Sequence, residues 1–408
     1  MTRPLSFTAL LAAFTLSACA PALAPAAPPR EAPAGLTAQA RARELLIGHT
    51  RGQGAALRAS LSNQWGLAVV DAIPALDVVV VKAPTDLAGT LSRLRRAPGV
   101  RFVEANAVET LPALQREPLL LTPRPTADDP LSEQQWGLEK ARVREAWRIT
   151  RGSRDTRIAI IDTGIDYTHP DLADHVVKGP DFVNGDDDPM DDNTHGTHCA
   201  GIAGASAENG IGVAGVAPGA TLMAVKVMDK QGTGEVANIC KGIVWAADQG
   251  AHVISVSLGG RGGPEAKQAA VDYARSKGAL VVAAMGNDGQ FLAFYPAANK
   301  GVFAVGATTQ QDTRADFSNM GVWMSVTAPG HKILSTVLRG GYWALSGTSM
   351  ATPHVAGLAA LVKSRKPDMT AEAIAQQIRR HAQDLGKPGF DEEYGHGRID
   401  AERTLAGL

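Results

Sequence analysis

From residue 157 onwards, short and continuously apolar segments alternate with longer segments of helical periodicity. Strands covered on both faces of a parallel sheet are apolar throughout, whereas strands with one wet face alternate between apolar and polar residues. The pattern therefore predicts an α/β fold in which a mostly parallel sheet is flanked by helices. The predicted strands are Arg157–Ile161, Thr221–Val227, His252–Ser257, Ala279–Ala284 and Val302–Ala307. The predicted helices are Thr197–Ala205, Glu235–Gln249, Glu265–Lys277, Ser349–Lys366 and Ala371–His381.

Length, charge and cysteine content narrow the class of protein further. The 408 residues exceed one typical hydrophobic core, so two folded units with appendages are expected. The 40 Lys and Arg residues against 41 Asp and Glu residues leave a formal net charge of −1, which argues against a nucleic-acid partner. Three cysteines are too few for a disulfide scaffold.

The N-terminus has the features of an export signal. Arg3 precedes an apolar segment at residues 5–16, which is too short to cross a bilayer but fits the hydrophobic part of a signal peptide. The sequence Leu16-Ser17-Ala18-Cys19 resembles the lipobox of bacterial lipoproteins, which implies a signal peptide at residues 1–18 and a lipid on Cys19. The alternative is an ordinary secretory signal with an incidental cysteine. Both imply export, and membrane contact is expected only through the lipidated N-terminus.

Changes in composition divide the rest of the chain into segments. In chain order, the prediction is a Pro- and Ala-rich tether at 19–42, a small α+β unit at 43–110, a Pro-rich linker at 111–130 and the α/β domain at 131–408. Within the small unit, strands are predicted at 44–47, 76–81 and 99–104 and a helix at 85–96. The linker composition is typical of an exposed segment that is open to proteolysis.

Three polar motifs lie where predicted strands end or predicted helices begin. Asp162 follows an apolar strand, His195 begins a helix in Thr194-His195-Gly196-Thr197-His198, and Ser349 begins another in Gly347-Thr348-Ser349-Met350. The carboxyl ends of parallel strands form the edge at which such folds bind ligands. A serine hydroxyl needs a base to take its proton, histidine has a suitable pKa, and a buried carboxylate can orient the imidazole.

These motifs, in the order Asp, His, Ser, resemble those of the subtilisin-like serine protease family, and its thermitase-like members in particular. The resemblance extends from about residue 136 to residue 400. It implies that Asp162 is the orienting acid, His195 the general base and Ser349 the nucleophile. Asn287 matches the residue that donates a hydrogen bond to the oxyanion in this family.

Two alternatives to a protease remain. One is a catalytically silent binding protein on the same fold, which is disfavoured because the matching residues are all present. The other is a non-proteolytic esterase, which is disfavoured because Ser349 does not lie in a Gly-x-Ser-x-Gly motif.

The resemblance also implies a groove for unfolded or extended polypeptide substrates. Ser257-Leu258-Gly259-Gly260 resembles the strand along which a peptide pairs main chain to main chain. Val236, Ile239 and Leu258 match residues of an apolar pocket several residues before the cut bond, with core packing as the alternative. Phe294 stands where many relatives have a small or polar residue at the base of the primary pocket. We therefore expect that pocket to be shallow and to favour smaller side chains.

Two structural calcium sites are implied by the same resemblance. The residues of the first are Asp129, Asp171, Asn209 and the backbone of Ile211 and Val213. The residues of the second are Asp181, Asn184, Asp186 and Asp188. These are oxygen ligands, as Ca²⁺ prefers. At the second site Met190 replaces an oxygen donor, and a solvated acidic loop is the alternative.

Residues 43–110 correspond, on this resemblance, to an inhibitory propeptide of ferredoxin-like fold that binds the catalytic domain in cis. Cleavage is expected between about residues 111 and 129. The expected product is a monomeric enzyme that is extracellular or periplasmic, released from a precursor anchored by lipid to the cell envelope. His198 and His354 are expected to pack rather than to catalyse, and Cys199 and Cys240 to be free buried thiols.

Overall fold

The computed structural model describes residues 44–84, 86–112 and 129–408. The predicted signal peptide, Cys19, the tether and most of the linker therefore lie outside the described residues. The strands are β1 (Glu44–His49), β2 (Val69–Ile73), β3 (Val78–Lys82), β4 (Val100–Ala105), β5 (Val108–Thr110), β6 (Arg157–Asp162), β7 (Val176–Asp181), β8 (Thr221–Lys226), β9 (Thr233–Glu235), β10 (Val253–Val256), β11 (Leu280–Ala284), β12 (Phe303–Thr308), β13 (Met324–Pro329), β14 (Ile333–Val337) and β15 (Gly341–Leu345). The α-helices are α1 (Gly54–Asn63), α2 (Leu87–Leu94), α3 (Trp136–Lys140), α4 (Val143–Ala146), α5 (His195–Gly204), α6 (Val236–Asp248), α7 (Pro264–Ser276), α8 (Thr348–Arg365), α9 (Ala371–His381) and α10 (Ala401–Ala406).

The larger unit is built on a seven-stranded sheet with the strand order β13-β12-β11-β10-β6-β8-β7. All six strand pairs in it are parallel, and the predicted fold class is therefore confirmed. Both faces are covered, as the continuous apolar runs predict. Ile158 and Ile160 pack on the face of α5 and α8, whereas Ala159 and Ile161 pack on the face of α6 and α7.

Two strands of this sheet do not appear among the predicted ones. In the edge strand β7, Val176, Lys178 and Pro180 are not fully buried, so the strand has no continuous apolar run. β13 is buried throughout, but its sequence contains Ser325 and Thr327 and ends in a proline, which weakens the strand signal. The five predicted strands and five predicted helices are all present, with ends that shift by one or two residues.

The front unit has the element order β1-α1-β2-β3-α2-β4 and an antiparallel sheet ordered β2-β3-β1-β4, which is the ferredoxin-like arrangement. Alternate residues of its strands face opposite sides. Leu45 and Ile47 pack with its own helices, while Leu46 joins the apolar cluster beneath α6 and α7. α2 begins after Asp86, whose side chain accepts a hydrogen bond from the N–H of Gly89 at 3.1 Å. The small unit therefore covers one flank of the larger one.

Beyond β4, the chain leaves the front unit and adds a strand to the larger unit. β5 pairs antiparallel with β9, and Val108, Glu109 and Thr110 lie opposite Glu235, Gly234 and Thr233. Within the described residues, none of the helices is both long and apolar enough to cross a membrane.

Candidate functional site

The order of the large sheet determines where the site lies. From β6 the chain goes to the edge strand β7 and returns to β8 on one side, and it then continues on the other side from β10 outward to β13. Ligands of open α/β sheets bind at such a reversal, beyond the carboxyl ends of the strands. Asp162 ends β6, Ser257 follows β10, and α5 and α8 begin with His195 and Thr348 at this same edge. The structure thus brings together residues that are far apart in the sequence.

Asp162 and His195 form a buried hydrogen-bonded pair. The Nδ1 atom of His195 lies 2.7 Å from Oδ1 of Asp162, and the exposed fractions of the two side chains are 3% and 0%. The N–H of Thr163 also donates to this carboxylate at 2.8 Å. Burial is the largest single influence and would lower the pKa of His195, but the Asp162 carboxylate and Cys199 together oppose it, and the pKa is raised well above its ordinary value. The pair therefore stabilises an imidazolium.

Asp191 holds the turn immediately before His195 in place. Sequence reasoning did not identify Asp191. Thr194 has φ 112°, a region that is strained for a β-branched residue. The carboxylate of Asp191 accepts hydrogen bonds from the N–H groups of Asn193, Thr194 and Thr197 at 2.9–3.0 Å. It also accepts from the hydroxyls of Thr163 and Thr197, and burial raises its pKa. Its only sequence signal is an acidic residue four positions before a histidine.

Ser349 lies in the first turn of α8, so its N–H is among those without a partner inside the helix. Its hydroxyl donates to the carbonyl of Ser257 at 2.7 Å, and the hydrogen bonds of the described residues include none between Ser349 and His195. Catalytic hydrogen bonds are often long or misaligned before substrate binds. Pro353 cannot donate to the carbonyl four residues before it, and that carbonyl of Ser349 accepts instead from Oγ of Ser257 at 3.0 Å and Sγ of Cys199 at 3.5 Å.

Asn287 lies beside Ser349 at the end of β11. Its Oδ1 accepts hydrogen bonds from the N–H of Thr348 at 2.9 Å and from the Thr348 hydroxyl at 2.8 Å. Two donors facing the same oxygen fix the orientation of the amide. The Nδ2 group is therefore left as a donor on the cavity that Asn287 and Ser349 both line.

This cavity has a volume of about 290 Å³, and residues of the chain's own front segment form part of its wall. Leu111 and Pro112 follow β5 and line the cavity together with Ser349 and Asn287. The N–H of Leu111 donates to the carbonyl of Gly232 at 2.8 Å, which continues the pairing of β5 with β9. An extended segment thus lies as an added strand in the groove, with its end beside the serine.

The predicted substrate residues lie along the same groove. Ser257, Leu258, Gly259 and Phe294 line the cavity, and the backbone of Gly260 exchanges two hydrogen bonds with Tyr295. Val236, Ile239 and Leu258 are buried in one apolar cluster with Ala107 of the front segment. Sequence reasoning missed Lys267, which is fully buried and whose Nζ donates to the carbonyl of Tyr295, the residue paired with Gly260. A Cβ added at Gly259 would lie 2.8 Å from the ring of Phe294, so the ring packs directly against the groove backbone.

The other histidines and the cysteines near the site have structural surroundings. Burial lowers the pKa of His198 to about 3 and that of His354 to about 4, so both are neutral. His198 Nε2 lies 3.0 Å from the carbonyl of Trp343. Cys199 and Cys240 are free and buried, which confirms that prediction.

The first predicted calcium site is assembled around two buried carboxylates, Asp129 and Asp171. Asp129 accepts hydrogen bonds from the N–H groups of Glu208 and Asn209 at 2.9 and 3.0 Å. Asp171 accepts from Nδ2 of Asn209 at 2.9 Å and from the N–H of Val213 at 3.0 Å, and burial raises its pKa. No Lys or Arg of the described residues forms an ion pair with Asp171. This buried acidic set, with the carbonyls of Ile211 and Val213 in the same loop, offers only oxygen ligands and fits Ca²⁺.

The residues of the second predicted site are not brought together in the same way. Asp181 accepts hydrogen bonds from the backbone of Val183 and from the backbone and side chain of Asn184, at 2.7–2.9 Å. Asp188 instead accepts from the hydroxyl of Tyr167 and lies 3.4 Å from Nζ of Lys178. Among the described residues, the carboxylates of Asp181, Asp186 and Asp188 do not form a group within 4.8 Å of one another. This loop fits Ca²⁺ less well than the first site.

Two named proteinases resemble this chain over more than half of its length. It is 48% identical over 261 residues to a thermophilic serine proteinase of Bacillus sp. (strain AK1), a match that covers 64% of this chain and 65% of that protein. It is 46% identical over 281 residues to thermitase of Thermoactinomyces vulgaris, which covers 69% of this chain and 99% of that one.

A solved structure resembles both units. Fervidolysin from Fervidobacterium pennivorans, described as a keratinolytic enzyme related to subtilisin, superposes with a TM-score of 0.79 at 28% identity. The match covers 90% of this chain and 61% of that one, so the chain spans under two thirds of the length of fervidolysin.

Two sequence families match the chain in succession. The fervidolysin N-terminal prodomain matches residues 26–106, beginning inside the predicted tether. The subtilase family, peptidase S8, matches residues 153–397, more than half of the chain. Together with the Asp162–His195 pair beside Ser349, this match shows that the chain belongs to the subtilase family and carries a fervidolysin-type prodomain in front of its subtilase domain.

Proposed function

We propose that this protein is an exported serine endopeptidase, made as an inactive precursor and activated by its own cut. The observation that carries the proposal is the extended segment β5 to Pro112. It pairs as an antiparallel strand with β9 and ends in the cavity beside Ser349. An added strand is a general way to bind a peptide irrespective of its sequence. A polypeptide is therefore the substrate class that best fits the groove.

The proposed mechanism assigns one step to each residue of the site. In neutral His195, the Nδ1–H group donates a hydrogen bond to the Asp162 carboxylate, so the lone pair of Nε2 is left to act as the base. Nε2 takes the proton of the Ser349 hydroxyl as Oγ bonds to the carbonyl carbon of the scissile peptide. Nδ2 of Asn287 and the N–H of Ser349 donate to the resulting oxyanion. The imidazolium then protonates the leaving amine, and water hydrolyses the acyl-enzyme by the same route.

The contacts of the front unit support a role as an inhibitor in cis. Glu104 accepts hydrogen bonds from the N–H groups of Glu265 and Ala266 at 3.2 and 2.8 Å, at the start of α7. The side chain of Asn106 accepts from the N–H of Ala237 at 2.9 Å, at the start of α6. The front unit therefore caps two helices of the catalytic unit and completes its surface before its tail enters the groove. A parallel sheet folds slowly, and such a template would assist it.

Calcium is proposed as a structural ion at the first site. Asp129, Asp171, Asn209 and the carbonyls of Ile211 and Val213 would hold it, joining the start of the catalytic unit to the loop before β8. The ion would supply stability only and no chemistry. Adding Ca²⁺ to chelated protein should raise Tm, and Asp171→Asn should abolish this increase.

Export and lipidation stay predictions for residues 1–42. The proposed route places the precursor at the cell envelope through Cys19 and releases the cut enzyme to the periplasm or the medium. Mass spectrometry of the membrane fraction, comparing wild type with Cys19→Ser, would test the lipid directly.

The decisive experiment compares the wild-type chain with Ser349→Ala. Wild type should be cut near the linker, hydrolyse casein and bind a serine-directed phosphonate. Ser349→Ala should remain full length and lack all three properties, and mass spectrometry of the wild type should locate the mature N-terminus. Normal processing of Ser349→Ala would contradict self-cleavage. Ester hydrolysis without casein hydrolysis would favour an esterase, and neither activity in folded wild type would favour a silent binding protein.

A further inference from the structure

A buried ion pair joins the front segment to the catalytic unit within the substrate groove. Nζ of Lys267, on α7, donates to Oε1 of Glu109, the central residue of β5. The exposed fractions of the two side chains are 0% and 3%. Burial raises the pKa of Glu109, while the Lys267 cation opposes that increase. Burying two charges is costly, and removing one partner of a buried pair strongly destabilises the protein.

Glu109 occupies the position of a substrate side chain rather than that of a domain contact outside the groove. It lies opposite Gly234 in the pairing of β5 with β9, three residues before Pro112 in the cavity beside Ser349. A Cβ added at Gly260 would lie 2.7 Å from Oε1 of Glu109, so this glycine leaves the room that the carboxylate uses. The groove itself therefore forms the pocket for Glu109.

Removal of the tail leaves Lys267 with few other partners. Besides Glu109, its Nζ donates only to the carbonyl of Tyr295, at 3.0 Å, among the hydrogen bonds of the described residues. Glu104, the other carboxylate of the front unit that influences Lys267, leaves with the same unit. Glu265, the neighbouring acid that stays, is exposed. The emptied pocket then contains a buried ammonium group, and its charge acts on Cys240, a member of the apolar cluster that also includes Val236 and Leu258.

We propose that Lys267 makes this subsite selective for an acidic side chain, preferably glutamate, in substrates of the mature enzyme. The inference rests on the proposed protease function and specifies its substrate class. It also modifies the sequence-based expectation, in which Val236, Ile239 and Leu258 match residues of an apolar pocket. An acidic side chain restores the pair that the tail had formed, whereas an amide or an aliphatic group leaves the cation unpaired.

The test uses self-processed enzyme prepared from the full chain. Quenched peptides of one sequence carry Glu, Gln or Leu at the position of Glu109, and a randomised peptide mixture locates that position relative to the cut bond. The wild-type enzyme should cut the Glu peptide with a kcat/KM about tenfold or more above that of the Gln peptide, as a charge-assisted hydrogen bond would give. The ratio is taken within each preparation, so differences in the folded fraction cancel.

Lys267→Met should reduce the Glu-to-Gln ratio to about one and raise the relative rate on the Leu peptide, because it keeps the length and removes the charge. Lys277→Met, at the far end of the same helix, should keep the wild-type ratio. Equal cutting of the Glu and Gln peptides by wild type would overturn the proposal, as would a Glu preference that persists in Lys267→Met. A short chromogenic peptide that ends before this subsite tests the protease function separately. If wild type hydrolyses this short peptide but cuts the Glu and Gln peptides equally well, only the subsite proposal is refuted. If wild type does not hydrolyse the short peptide, the proposed protease function is refuted.

Discussion

Two buried carboxylates, Asp162 and Glu109, each bind a nitrogen side chain along the same groove, and the two pairs differ in which parts of the chain they join. Asp162 and His195 both belong to the catalytic unit, where β6 and α5 hold them in place. Lys267 belongs to that unit, but Glu109 belongs to the segment that the proposed cut releases. The first pair is therefore a permanent part of the site. The second lasts only while the tail remains in the groove.

Under the proposed function, one fold thus contains a permanent catalytic pair and a second pair that is present only while the tail inhibits the enzyme. The permanent pair is surrounded by hydrogen bonds to backbone, from Thr163 and through the turn held by Asp191. Among the described residues, Oε2 of Glu109 and Oδ2 of Asp162 both lack a hydrogen-bond partner, so each pair has one unsatisfied carboxylate oxygen. An unsatisfied buried oxygen is costly in both pairs, so what distinguishes them is that the proposed cut releases Glu109 whereas Asp162 stays in the catalytic unit.

The largest expected effect comes from breaking the permanent pair. Asp162→Asn keeps the size of the side chain but presents an amide N–H to His195, which favours the wrong tautomer of the base. The kcat should fall by about 10⁴, the size known for the same exchange in an unrelated serine protease. Rates on a chromogenic peptide measure this, and circular dichroism should show an unchanged fold. A loss below tenfold would contradict the role assigned to Asp162.

Removing the proposed oxyanion donor, Asn287, tests catalysis while leaving the Asp162–His195 pair intact. Asn287→Ala should lower kcat by about 10²–10³, the size known for one such donor in a subtilisin, with little change in KM. Steady-state kinetics separate the two constants. A change confined to KM would instead place Asn287 among groups that bind the ground state.

Loosening the turn before His195 should have an intermediate effect. In Asp191→Asn the amide can no longer accept every hydrogen bond that the carboxylate accepts from Asn193, Thr194 and Thr197. The kcat should fall by roughly 10- to 100-fold through misplacement of His195, and Tm should decrease. Asp187→Asn, in the exposed acidic loop, is the matched control and should change neither. If Asp191→Asn lowered Tm alone, the residue would be structural and would not position the base.

The smallest expected effect is the pH dependence of the contact between the front unit and the catalytic unit. Burial raises the pKa of Glu104, which lies in β4 against the start of α7, to about 6, so the bound front unit holds a proton there that it would lose on separation. This contribution is complete below the ordinary pKa near 4.5 and is lost as pH rises through about 6. In uncut Ser349→Ala chain, opening of the contact between β4 and α7, which exposes Glu104, should therefore be roughly tenfold more frequent at pH 7.5 than at pH 5. Hydrogen exchange, corrected for its intrinsic pH dependence, measures this opening, and Glu104→Gln should reduce the difference.

Much of the large unit could be predicted from the sequence because buried parallel strands have a continuous apolar pattern. β6, β8, β10, β11 and β12 have this pattern and were predicted within one or two residues. β7 and β13 lack it, since one is a half-polar edge strand and the other contains Ser, Thr and Pro. The apolar pattern reports buried apolar side chains, so it is weak at a half-polar edge strand and at a buried strand that contains Ser, Thr and Pro.

The candidate site was predictable only in part, for a similar reason. Asp162, His195, Ser349 and Asn287 lie in distinctive motifs, and the structure places them at one edge of the sheet. Lys267 lies in an otherwise ordinary amphipathic helix, where a lysine is normally solvated. Only the pairing of β5 with β9 reveals that Glu109 meets it, and no local pattern connects two residues 158 positions apart.

The strand pairing of β5 with β9 also has a consequence for when the proposed enzyme would become active. While the chain is uncut, the tail is tethered to its own groove at an effective concentration in the millimolar range for a short connection, whatever the protein concentration. After the cut, rebinding depends on how much free prodomain surrounds each enzyme. Inhibition then persists in a confined or crowded space and disappears in a large volume. Dilution after export would thus be a sufficient signal for activation, without any second protein.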